Sequence, residues 1–127
     1  SANLGVYATE PDADPVGDWL ESCRAFQPLA EDRHLVLPGH KLPFTGLPLR
    51  LRQMIDNHLG ALDRLHAALD QPRTAAQCFL PIFKREITGD SAGMALVESV
   101  AHLNHLLRQG RVRRWRGEGD AWLWQAV

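Results

Sequence analysis

Leu35-Val36-Leu37-Pro38-Gly39-His40 carries more of the fold than any other stretch of this 127-residue chain. Three aliphatic residues predict a short buried strand. Pro38 and Gly39 end it, because proline removes a backbone donor and glycine admits a turn. One imidazole, that of His40, is left at the strand's C-terminal end, where a sheet fixes the backbone and a loop opens space in front of it. Toward the N-terminus, residues 1–9 read as extended and residues 10–15 as a turn. A helix then runs from Pro15 to about Leu29, with Asp14 suited to the N-cap and Pro15 to the first helical position. Val16, Trp19, Leu20, Cys23 and Phe26 have the spacing of its buried stripe. A strand, a helix and a strand are too little to bury their own faces, so residues 1–47 read as the edge of a larger α/β layer.

On the C-terminal side, residues 41–48 are rich in proline and glycine and mark the expected domain boundary, which separates 1–47 from 48–127. Leu51, Ile55, Leu59, Leu62, Leu65 and Leu69 then predict one long helix, ending near Gln71-Pro72. Thr74 and Gln77 form a capping box at the start of a short second helix, which Pro81 kinks or ends at Leu80. A third helix is expected from a cap at Asp90 or Ser91 to about Gln109, with Leu96, Val100, Leu103 and Leu107 buried and Gly110 as its stop. Strands 111–116 and 121–126 flank Gly117-Glu118-Gly119-Asp120 and predict a hairpin. Three helices followed by a hairpin is winged-helix order. The expected class is α+β: a three-helix winged-helix-like domain with a C-terminal hairpin, preceded by a strand-helix-strand segment.

Composition narrows the function. A net charge of −1 argues against a surface built as a whole for nucleic acid or acidic lipid. Only Lys41 and Lys84 represent lysine, and this arginine bias points to a bacterial source. Cys23 and Cys78 each fall on the apolar face of a predicted helix, as buried reduced thiols of a cytoplasmic protein would; a single disulfide is the alternative. No stretch is long and apolar enough for a membrane span, and no basic-then-apolar leader opens the chain. The Ser1–Tyr7 stretch is expected to lie inside a longer polypeptide.

Leu37-Pro38-Gly39-His40 resembles the last metal-ligand motif of the metallo-β-lactamase superfamily. Downstream, Arg73-Thr74-Ala75-Ala76-Gln77 through Phe83-Lys84-Arg85, then Ala95 through Leu103, and Gly110-Arg111-Val112, resemble the small winged-helix-like domain that follows the catalytic domain in many of these hydrolases. The resemblance covers nearly the whole chain from Asn3. It implies that 1–47 is the C-terminal remnant of an αββα sandwich and that His40 is a metal ligand. It also implies a parent hydrolase of the glyoxalase-II-like branch, which attacks an ester or thioester with metal-bound hydroxide at a two-zinc site. The superfamily's His-x-His-x-Asp-His loop, its further histidine and its bridging aspartate are absent from this sequence. The 127 residues alone are therefore expected to be inactive, with no catalytic residue and no bound zinc. A small-molecule substrate is the expected partner, membranes and nucleic acid are not, and a homodimer is left open.

Other groups each have an ordinary role to set beside a functional one. His58 is a candidate for the substrate mouth or for a contact behind the metal ligands, against a solvent-facing or interdomain position. His102 and His105 share a helical face and read as hydrogen-bonded, partly buried residues. Asp56, Asp63 and Asp70 recur at seven-residue steps, as a solvated face does. Arg111, Arg113, Arg114 and Trp115 form a basic-aromatic cluster that could contact RNA. The simpler expectation is tryptophans packed on the helices and arginines paired with acids. Two rival readings follow: a nuclease whose C-terminal domain grips RNA, and a non-enzymatic interaction module.

Overall fold

The computed structural model describes residues 2–127. Ser1, which falls within the predicted 1–9 segment, lies outside them. Among the described residues, four α-helices and one two-stranded antiparallel sheet make the fold α+β.

Helix α1 spans Pro15–Phe26. Asp14 caps it by accepting from the Gly17 amide at 3.0 Å, with Pro15 in the first turn. It ends before the predicted Leu29 because Pro28 has no N–H to carry the ladder on, although Gln27 before it keeps helical backbone. Phe26 is consequently exposed rather than part of the buried stripe.

Neither strand predicted in 1–47 forms. Within 2–9 the chain has no strand partner, and Val6 donates one bond to the Val97 carbonyl at 3.0 Å. Val36 pairs with Phe44 alone, through bonds of 2.8 and 3.1 Å. Leu35 and Leu37 on either side are 64% and 74% exposed, so the predicted buried strand is an open loop. Aliphatic residues make a strand only where another strand lies alongside, and the described residues provide none. The strand-helix-strand remnant is thus a helix between two irregular segments.

Helix α2 spans Leu47–Ala68 and buries Leu51, Ile55, Leu62 and Leu65. Arg73 Nε ends it by donating to the Ala68 carbonyl at 2.7 Å. The capping box holds: the Gln77 side chain accepts from the Thr74 amide at 3.0 Å. It opens a 3₁₀ turn, Ala75–Cys78, which runs into α3, Phe79–Phe83. Pro81 lies inside α3 rather than ending it. In a first turn its missing N–H has no intrahelical partner to lose.

Helix α4 spans Ala92–Arg108. A 3₁₀ turn, Gly89–Ser91, precedes it, and no side-chain bond from Ser91 caps it. Its C-terminal half is buried almost all round, from Ala101 to Leu106, because α1, α2, α3 and the hairpin surround it. The predicted stripe misses part of this: Leu96 stays exposed and Ser99 and Asn104 are buried, while His102 and His105 are buried with hydrogen bonds, as read from their shared face. Gly110, at φ 71°, ends the helix as expected.

Strands β1, Val112–Arg116, and β2, Trp122–Ala126, pair with Val112 opposite Ala126 and Arg116 opposite Trp122. On the other edge of β2 the backbone of Arg73 adds a single rung through bonds of 2.9 and 2.8 Å to Trp124. Val6, Val16, Leu20 and Cys23 share one core with Leu51, Leu62, Leu103 and Trp124, so packing crosses the 47/48 boundary. Cys23 and Cys78 are buried free thiols. Among the described residues no helix is long and apolar enough to cross a membrane.

Candidate functional site

His40 sits at the exposed turn of the loop between Val36 and Phe44, beside Lys41 at φ 68°. Leu35, Leu37 and Leu42 surround it in sequence and are 64%, 74% and 82% exposed. Among the described residues no three His, Cys, Asp or Glu side chains converge to hold a metal ion. The donors present among the described residues therefore do not make a metal site by themselves.

His58, on α2, faces His102, on α4, with ring centroids 5.6 Å apart and planes inclined by 31°. A cavity of about 190 Å³ opens beside them, lined also by Arg50, Met54, Asn57 and Glu98. His102 Nδ1 lies 2.8 Å from the Glu98 carbonyl, so that nitrogen carries the proton and donates. Burial, and next the neighbouring His102, push His58 down to about 4. Burial likewise lowers His102, against the opposing pull of its bond to the Glu98 carbonyl, and raises the Glu98 carboxyl. Near neutral pH both rings are uncharged, so the cavity offers neutral imidazole acceptors and not a cationic pair. His40 does not line it. Sequence reasoning singled out His58 but not its pairing with His102. That pairing depends on how α2 crosses α4, which no local spacing encodes.

His105 Nδ1 lies 3.0 and 3.1 Å from the two oxygens of Asp14 and donates to that carboxylate. Asn104 Nδ2 donates to the carbonyls of Pro11 and Ala13 at 2.9 and 3.0 Å. Both polar residues tie α4 to the entrance of α1, so their role is structural.

The hairpin splits the basic-aromatic cluster between two faces. Strand alternation puts Arg114, Arg116, Trp122 and Trp124 on one side and Arg113 and Trp115 on the other. Arg113 lies 4.8 Å over Trp115 and donates to Gln125 at 2.9 Å. Arg114 lies 4.3 Å from Trp122 and 5.2 Å from Trp124, and bonds Asp12 at 3.3 Å. Arg111 pairs with Asp63 at 3.5 Å. Arg111 and Arg114 thus each meet an acid of the chain, while Arg113 is held by Trp115 and Gln125.

Residues 62–127 match the family model described as metallo-beta-lactamase-like, C-terminal domain. A β-lactamase domain protein from Burkholderia ambifaria is similar over the whole chain, with a TM-score of 0.92 and 32% identity. A metallo-β-lactamase family protein from Thermus thermophilus is similar over the whole chain, with a TM-score of 0.80 and 28% identity. No curated protein matches the chain significantly. The chain belongs to the metallo-β-lactamase-like family through its C-terminal domain. It spans 38% of the length of each of the two solved relatives.

Proposed function

We propose that these residues serve a metal-dependent hydrolase of the metallo-β-lactamase superfamily acting on an ester or thioester, with His40 as one ligand of a zinc centre. The other ligands would come from polypeptide outside the 127 residues. The observation that carries this reading is the setting of His40. It stands at an exposed turn, flanked by three leucines that nothing in the described chain covers. Such a patch suits packing against a further layer of protein, which would bring the imidazole to a shared cleft. His58, in its cavity of mixed lining, is the second candidate, as a substrate-mouth group.

Residues 48–127 read best as a winged-helix-like domain. The single rung between Arg73 and Trp124 supports this, since it places a minimal third strand between α2 and α3. In the RNA-gripping alternative, Arg113 and Arg114 would have to exchange their present partners for phosphates.

The test uses the full-length polypeptide. With His40→Ala, zinc content should fall below that of the wild type, and thioester hydrolysis should drop by about 100-fold or more. Unchanged zinc content and turnover would remove His40 from the site.

A further inference from the structure

A cleft of about 740 Å³ lies on the inner face of the hairpin, away from His40 and His58. The residues from Val6 onward, the Ala75–Cys78 turn, the first turns of α4 and both strands border this open cleft. Its volume falls in the range of small-molecule sites. The wall is chiefly aliphatic: Val6, Ala75, Ala76, Leu96 and Val100. Two guanidinium groups, those of Arg114 and Arg116, also line it. They lie 4.3 and 4.0 Å from the Trp122 ring, which fixes them there.

We propose that this cleft binds an amphipathic organic anion: an aliphatic chain along the Val6–Val100 wall, with a carboxylate at Arg114 and Arg116. Three features select this ligand. First, Trp122 already has guanidinium groups against its ring and Trp124 is buried, so apart from Tyr7 the remaining apolar lining is aliphatic and favours a flexible alkyl body over a stacked base. Second, the arginines' present acidic partners are weak competitors. Asp12 and Asp120 have side chains 81% and 85% exposed, at 3.3 and 3.8 Å, and solvated pairs of that kind contribute little. Third, a planar fork beside an apolar wall recognises a carboxylate at the end of a chain in a way that a hydroxyl cannot reproduce. The site does not depend on the hydrolase reading and uses none of its residues.

The test is a titration of the protein with decanoate, and separately with decanol, followed by tryptophan fluorescence. Decanoate should bind saturably, about tenfold or more tighter than decanol. The double change Arg114→Gln and Arg116→Gln should erase that preference while leaving decanol binding unchanged. Ala76→Trp, an exposed position on the rim, should block both ligands. Thermal melts show that each variant is folded. Equal affinity for decanoate and decanol, or no saturable binding of either, overturns the proposal. So does single-stranded oligouridylate binding more tightly than decanoate and lost in the same arginine variants, which would make the face a nucleic-acid surface.

Discussion

Asp14 serves two partners at once. One carboxylate caps α1 through the Gly17 amide and receives the His105 ring N–H, with both side chains of the pair about nine-tenths buried. Gly17 has no side chain for a reason unconnected with backbone torsion: a Cβ there would run into the Asp14 carboxylate. Asp14→Ala removes the cap and strands a buried donor on His105, so it should cost about 2–4 kcal/mol in urea unfolding. Asp14→Asn keeps an acceptor and should cost distinctly less. The His58–His102 pair gives a second prediction. Both rings titrate lower in the folded chain than in the unfolded one, burial being the main cause, with His105 and Arg64 also opposing charge on His102. Protons therefore favour the unfolded chain. Stability is full above pH 6.5 and falls as pH drops toward about 4, where folded His58 itself protonates. The loss over that window should be about 1–3 kcal/mol. Denaturant melts across it should show that His58→Gln is flatter than the wild type.

At the scale of elements, signals confined to one turn of chain were legible. Asp14-Pro15, the Thr74–Gln77 box and Gly110 mark ends that the structure keeps. Signals that depend on a neighbour were not. Leu35-Val36-Leu37 has strand composition, but a strand is a relation between two segments, and Val36 finds one residue to pair with. The stripe of α4 misled for the opposite reason. A helix packed on several sides has no single apolar face, so Ser99, His102, Asn104 and His105 go inside, each with a hydrogen bond to hold it there. Of the candidate site, His40 was legible as a residue at a turn, whereas the cavity joining His58 to His102 was not, since two distant helices build it. Pro81 yields a prediction here. It occupies a first turn that tolerates it, so Pro81→Ala should leave α3 intact. The change should cost only about 0.4–1 kcal/mol, through the freer unfolded chain, as read by chemical denaturation with unchanged far-ultraviolet dichroism.

At the scale of the molecule, one core serves the segments on both sides of residue 47, while Leu35, Leu37 and Leu42 stay outside it. Replacing these three leucines by serine should change the unfolding free energy of the 127-residue chain by no more than about 0.5 kcal/mol, because no packing is lost. In the full-length polypeptide, the proposed contact predicts a marked fall in melting temperature from the same changes. An equal response in the two would show that the leucines meet nothing.

The bonds from Asn104 and His105 to residues 11–14 bridge 91 to 93 positions of sequence. Closing so wide a loop is entropically expensive and contributes nothing until the last step. This latch is therefore predicted to shut after α2, α4 and the hairpin have met. In native-state hydrogen exchange, α1 should be the first helix to give up its amides, peeling away from an otherwise intact bundle.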